Sequence, residues 1–286
     1  MGAMPVLGRI PLLALAVEIA ALCGAGPGGA GPALTTRWVP IDLHLTCSSP
    51  ELFSWGGAYI GKSCAPAIND EGEVVGSRDV TGGGVRGFVW KGARLTDLGS
   101  LDGDSYAVAI NGRGSVVGFS GSPNLPHLQA FIWRDGRMVN LGTLGNGTES
   151  TSEPSAINDR GQVVGSSSTG NGFHPFLWQN GKMTDLGTLG ATGSDAVAIN
   201  EQGEVIVNRC VEDCGPSSPY ARTLNTDAFS SGAAVLQSGK LEKLPALPGT
   251  SDSYAAALNE HGQIVGVSPT GEGSYHIILW NPIPSS

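Results

Sequence analysis

The sequence predicts an all-β fold, a five-bladed β-propeller of four-stranded blades, on three observations. One motif recurs five times in register, the composition suits short strands and tight turns, and a strand that the last repeat lacks is found near the N-terminus. The 286 residues include 44 glycines, 40% hydrophobic residues and only 14% charged ones, a balance that favours many short strands over long helices.

The motif runs from Ala67-Ile68-Asn69 through Gly76, Ala109-Ile110-Asn111 through Gly118, Ala156-Ile157-Asn158 through Gly165, Ala198-Ile199-Asn200 through Val207, and Ala257-Leu258-Asn259 through Gly266. Successive asparagines are 42, 47, 42 and 59 positions apart, the length of a four-stranded propeller blade, with an insertion in the fourth unit.

Each unit divides into four strands. Ser105 to Asn111 has small residues at alternate positions, which suits an innermost strand where blades crowd together. The Asn, with a Gly three positions on, makes a tight turn in which the side chain bonds local backbone. The return strand is β-branched, as in Val163-Val164-Gly165. An aromatic strand follows (Phe88-Val89-Trp90, Phe131-Ile132-Trp133, Phe176-Leu177-Trp178, Ile278-Leu279-Trp280), its large residues filling the space between blades. A second turn at Gly92, Gly136, Gly181 or Gly239 leads to a last strand such as Met183 to Gly187.

The C-terminus stops at Trp280-Asn281-Pro282, before a fourth strand for unit five. Trp38-Val39-Pro40-Ile41-Asp42-Leu43 has the pattern of the missing strand, so the last blade is expected to be closed by the N-terminal strand, which leaves no exposed sheet edge. Residues 31 to 66 contain only this one repeat-like strand, which favours five blades over six.

The unit Ala-Ile-Asn-x-x-Gly-x-Val-Val-Gly, then His174-x-Phe-Leu-Trp178, then Met183 to Gly190, resembles the HAF-family extracellular repeat over residues 58 to 280. The family's His is Arg86 in the first unit and Gln129 in the second, and Leu236 replaces the Trp in the fourth. The resemblance implies an extracellular or surface setting and brings no established activity with it.

Residues 1–30 read as a signal peptide: Arg9, the apolar run Ile10 to Leu22, then Gly, Ala and Pro up to Ala30. The run is shorter than the roughly 20 residues a span requires, and Glu18 interrupts it. The expectation is export to an extracellular or periplasmic location, no membrane span after signal removal, and one propeller domain over 31–286. A net charge of −9 without clustered Lys and Arg argues against nucleic acid as a partner.

Cys47, Cys64, Cys210 and Cys214 then form an even set in an oxidising compartment. Pairing Cys47 with Cys64 and Cys210 with Cys214 is the simplest of three connectivities. One close Cys pair with no nearby His does not make a zinc site, and no cofactor is indicated.

Several residues invite a catalytic reading. Ser63, Ser105, Ser152, Ser194 and Ser253 recur six positions before each Asn, and five equivalent hydroxyls fit hydrogen bonding to strand ends better than a single nucleophile. His174 and His276 share their position with Arg86 and Gln129, a mixture no metal ring would tolerate. No catalytic residue is assigned, and no nucleophile elbow, phosphate loop or zinc-protease helix occurs. Function is expected where the repeat symmetry breaks, on loops above a rigid scaffold. Two segments qualify: His44 to Tyr59, with Trp55 and Tyr59, and Asn208 to Asp227, with Tyr220.

Asp104, Asp195 and Asp252, near the start of inner strands, complete the ligand-binding candidates. The first functional expectation is a binding module for a glycan or a protein partner. The alternatives are a structural surface protein without a small ligand and a glycoside-type hydrolase with acids at the channel mouth.

Overall fold

The computed structural model describes residues 53–55, 58–60, 67–121, 127–210, 231–269 and 275–282. Two compact units divide the chain, Met1–Asp42 and Leu43–Ser286, and every described residue belongs to the second.

All regular structure among the described residues is β. A hairpin of β1 (Phe53–Trp55) and β2 (Ala58–Ile60) comes first, in a stretch expected to be an irregular loop. The Gly56-Gly57 pair between its strands is a hairpin signal that lies outside the repeat.

Five antiparallel sheets follow in chain order. The first holds β3 (Ala67–Ile68), β4 (Val74–Asp79), β5 (Val85–Lys91) and β6 (Arg94–Asp97). The second holds β7 (Asp104–Ile110), β8 (Val116–Gly121), β9 (Gln129–Arg134) and β10 (Arg137–Asn140). The third holds β11 (Ser152–Ile157), β12 (Val163–Thr169), β13 (Gly172–Gln179) and β14 (Lys182–Asp185). The fourth holds β15 (Gly193–Ile199), β16 (Val205–Cys210), β17 (Ser231–Gln237) and β18 (Lys240–Lys243). The fifth has three strands among the described residues, β19 (Tyr254–Leu258), β20 (Ile264–Pro269) and β21 (Tyr275–Trp280). Every sheet pairs its strands in sequence order, a propeller-like succession of meanders.

The Val-Val-Gly glycine has a steric cause. The first strand is bulged, between Ala107 and Ala109 in the second sheet, and the bulge pushes a carbonyl across the return strand. A Cβ at Gly118, Gly165 or Gly266 would lie 2.0 Å from the carbonyl oxygen of Tyr106, Glu153 or Tyr254. At these three places glycine accommodates that approach, whereas in the fourth sheet, bulged between Ala196 and Ala198, Val207 holds the equivalent position.

The core lies between sheets. Each sheet presents one side to its predecessor and the other to its successor. Val75, Val89 and Leu98 of the first sheet pack on Val116, Ala107 and Phe131 of the second, and Val117, Ile132 and Leu141 of the second pack on Val163, Phe176 and Trp178 of the third. Val164 of the third packs on Val205, Ala234 and Leu236 of the fourth, and Ile206 and Ala233 of the fourth pack on Ala255 and Ile264 of the fifth. Each large apolar side chain buried this way contributes roughly 1.5–3 kcal/mol. The aromatic-strand positions Phe131 and Phe176 are fully buried, as an inter-sheet core requires.

Candidate functional site

The repeat asparagines join the sheets at one end of the stack. Asn69 Nδ2 donates to the carbonyl of Asn111 at 3.0 Å, Asn111 to Asn158 at 2.8 Å, Asn158 to Asn200 at 3.0 Å, and Asn200 to Asn259 at 3.2 Å. Each Oδ1 accepts the amide four residues on, at 2.9–3.0 Å, so all five carboxamides close their own turns, and those of Asn69, Asn111, Asn158 and Asn200 also tie them to the next sheet. Carboxylates one residue further on run parallel to this relay: Gly112 N donates to Asp159 Oδ1, Asp159 N to Glu201 Oε1, and Glu201 N to Glu260 Oε2.

At this end the connections are uniform. The first turns occupy 69–73, 111–115, 158–162, 200–204 and 259–263, closed by the same backbone bonds throughout. The second turns are two-residue hairpins with positive φ at both positions: Gly92-Ala93, Asp135-Gly136, Asn180-Gly181 and Ser238-Gly239.

At the opposite end the connections vary in length from two residues to twenty. Between the second and third strands run 80–84, 122–128, 170–171, 211–230 and 270–274, the shortest a bare two-residue turn and the longest the segment that carries Cys214 and Tyr220. The connectors from one sheet to the next leave from this end too.

The connectors are anchored from the scaffold. Ser120 Oγ accepts the amides of Leu101 and Asp102, Ser167 Oγ that of Leu144, and Ser268 Oγ that of Leu247. In the fourth sheet Arg209 occupies this place and donates to the carbonyls of Thr188 and Leu189 at 3.1 and 3.2 Å. A second serine set joins neighbouring sheets. Ser105 Oγ accepts from Gly87 N and donates to Gly99 O, and Ser152 Oγ accepts from Ala130 N and donates to Gly142 O. Ser253 Oγ accepts from Ala233 N. The connectors at the variable end are therefore tied by hydrogen bonds to the strands beside them.

Asp104 lies at this end, buried, and is already engaged. Its Oδ1 accepts Val85 N at 2.8 Å and lies 3.8 Å from the Arg86 guanidinium, which in turn donates to Gly103 O. Beside it Tyr106 stacks on Phe119, ring centroids 5.0 Å apart, with its hydroxyl 3.5 Å from Asp104 Oδ2. Burial first, then the negative charges of Asp104 and Asp79, push the Tyr106 phenol up to about 12. Asp195 pairs with Asn208 across β15 and β16, and Asp252 precedes β19, so the three candidate aspartates belong to three different sheets. Asp104 here fixes the 80–84 loop to the second sheet.

Of the other candidates, Trp55 and Tyr59 belong to the β1–β2 hairpin, where Trp55 pairs with Ala58 and Tyr59 with Ser54. Tyr220, Cys47, Cys64 and Cys214 lie outside the described residues, and Cys210 ends β16. His174 Nδ1 is 2.8 Å from Asp185 Oδ2, and Gln129 is bonded to Asn140 at the equivalent place one sheet earlier, so these two positions form cross-strand polar pairs. Among the described residues no group of three His, Cys, Asp or Glu side chains could hold a metal ion, and no helix is long and apolar enough to cross a membrane.

No family model and no curated protein matches the chain. Among solved structures it is similar to TolB from Acinetobacter baumannii (TM-score 0.43, 10% identity, 69% of this chain and 46% of that one). It is also similar to the acylaminoacyl peptidase of Pyrococcus horikoshii (TM-score 0.41, 13% identity, 70% and 32%) and to a glycosyl hydrolase from Bacteroides ovatus (TM-score 0.29, 8% identity, 77% and 85%). The chain thus spans about half the length of the TolB it matches.

Proposed function

We propose that the protein is an exported or surface-exposed binding module that holds a glycan or a protein partner on the variable end of its sheet stack. One observation carries the reading: at the asparagine end the first turns have one length in all five units and the second turns one length in the four units where they are described, whereas the connections at the other end range from 170–171 to 211–230. Uniform turns maintain a scaffold; loops free to differ on a pinned base are where recognition is built.

The same reading includes a five-bladed propeller whose last blade is closed by the N-terminal strand. The segment Val39-Pro40-Ile41-Asp42-Leu43 fits a fourth-strand role. Leu98 N donates to Gly87 O, as Leu141, Leu186 and Leu244 donate at the equivalent places, which makes Trp90 and Leu95 a non-hydrogen-bonded pair. Pro40 takes the place of Leu95, so its missing N–H costs no ladder bond.

The test is binding. The mature protein is expected to be retained on a glycan array or by cell-surface extracts. Replacing 211–230 with the two-residue turn of the third sheet is expected to abolish retention, while Arg113→Glu at the uniform end leaves it intact. Loss through Arg113→Glu alone, or no retention of any ligand by the unaltered protein, overturns the reading.

A further inference from the structure

Four inter-sheet contacts repeat one geometry, and the two ends of the stack carry the halves of a fifth. Val89 and Ile110 belong to one apolar cluster, Ile132 and Ile157 to the next, Leu177 and Ile199 to the third, and Val235 and Leu258 to the fourth. The residues at these places on the outer sides of the stack are Leu279 of the fifth sheet, 58% exposed, and Ile68 of the first, 67% exposed. Beside Leu279, Ile277 is 82% exposed, although its counterparts Ala130 and Ala233 are fully buried. On the first sheet Phe88 is already buried, which leaves Ile68 as the exposed apolar residue of that side. On the fifth sheet an uncovered face of this kind, on a side where the other four sheets are covered, is a contact surface.

Hydrogen bonding shows the same incompleteness. The carbonyls of Asn111, Asn158 and Asn200 each accept twice, from the glycine amide three residues on and from the preceding carboxamide. Asn69 O accepts only Gly72 N among the described residues. Asn158 Nδ2 donates twice, to Gln162 Oε1 and to Asn200 O, whereas Asn259 Nδ2 donates to Gln263 Oε1 and, among the described residues, to no carbonyl. Asn111, Asn158 and Asn200 are buried, and Asn259 is exposed. The last donor and the first acceptor of the relay are complementary.

We propose that the occupant of both faces is this same chain. The fifth sheet docks on the first with Leu279 and Ile277 against Ile68, and Asn259 Nδ2 donates to Asn69 O, closing five carboxamides into a continuous collar around one mouth of the ring. The inference rests on the propeller reading above and adds its closing contact. Intramolecular closure is favoured over a second copy because donor and acceptor belong to one covalent series, so their effective concentration far exceeds that of separate molecules.

The test pairs Ile68→Cys with Leu279→Cys in the full mature chain. The expected product under dilute, mildly oxidising conditions is an internally cross-linked monomer, with the new disulfide identified by peptide mass spectrometry. Cross-linked dimers alone, or no cross-link in protein that remains folded, overturn it. Hydroxyl-radical footprinting of the unaltered protein guards against a misfolded variant: Ile277 and Leu279 are expected to label as weakly as Ile132, and strong labelling overturns closure. The collar is read separately. Asn259→Ala is expected to lower the melting temperature about as much as Asn158→Ala does; a cross-linked ring in which Asn259→Ala is silent overturns the collar and leaves the ring standing. Loss of ligand retention with the cross-link intact bears on the binding reading alone.

Discussion

Pro175 deprives Ser194 of the bond that its equivalents make. Gly87, Ala130 and Ala233 each donate a backbone N–H to a serine of the following sheet, and Pro175, at the same place in β13, has none to give. The Ser194 hydroxyl is buried and without a hydrogen-bond partner. Ser105→Ala and Ser152→Ala each strand a buried amide and a carbonyl, at about 1–3 kcal/mol, while Ser194→Ala is expected to be neutral or slightly stabilising. Pro175→Ala restores the missing donor. In that background Ser194→Ala is expected to cost about 1 kcal/mol, and a double-mutant cycle by urea unfolding measures the coupling.

Asn158 is the most fully used member of the relay. It donates to Gln162 Oε1 and Asn200 O and accepts from Gln162 N, all within the protein interior. Asn158→Ala is expected to lower the unfolding free energy by roughly 2 kcal/mol or more, since several buried partners lose their bonds together. Asn158→Asp is not expected to rescue it. A carboxylate cannot donate, and it would face the oxygens of Gln162 and Asn200. Equal stability of the Asp variant and the parent in urea unfolding would show that the side-chain donor is dispensable.

Within-sheet structure was legible because its determinants are local. The order of strands, the Asn turns, the Gly hairpins and the aromatic third strand each follow from residues close together in the chain, and all are present. His174 was expected to bond a loop, and it instead pairs with Asp185 of the neighbouring strand. What joins sheet to sheet was not legible. The carboxamide of Asn69 meets the carbonyl of a residue 42 positions away, and Arg209 replaces a serine by reaching a different connector atom, relations that only packing creates. The engagement of Asp104 by Val85 N was hidden for the same reason, and it turns a candidate acid into a loop fastener. The β1–β2 hairpin falls outside the repeat, so periodicity carried no signal for it.

Glu73 supplies a pH dependence at the asparagine end. The hydrogen bond from Lys91 at 3.0 Å, aided by the Asn69 carboxamide and the Lys91 charge and opposed by burial, holds its carboxyl below the ordinary 4.5. A depressed carboxylate contributes stability above its ordinary value and loses it as the pH falls through the lowered one. The pair is partly solvent-exposed, so the contribution stays below about 1 kcal/mol. Glu73→Gln is expected to be less stable than the parent near neutral pH and equal to it in acid, measured by denaturant unfolding across that range. A stability difference that persists in acid would assign the effect to packing.

Tyr106 is expected to be separable by spectroscopic titration from the other tyrosines, with an apparent value of about 12 against the ordinary 10. Burial is the largest cause, and the Asp104 and Asp79 charges add to it. Because the folded value is raised, the associated stability is fully present below 10 and is lost as the pH rises toward 12. Tyr106→Phe is expected to remove the late tyrosinate absorbance step. Asp104→Asn is expected to move it earlier without returning it to 10, since burial remains when the charge is gone. The same variant replaces the oxygen that accepts Val85 N with an amide that can be turned to preserve that bond, so the shift reports charge separately from loop fixation. An unmoved titration in Asp104→Asn would mean that burial and the Asp79 charge set the phenol, and that the Asp104 carboxylate is screened from it.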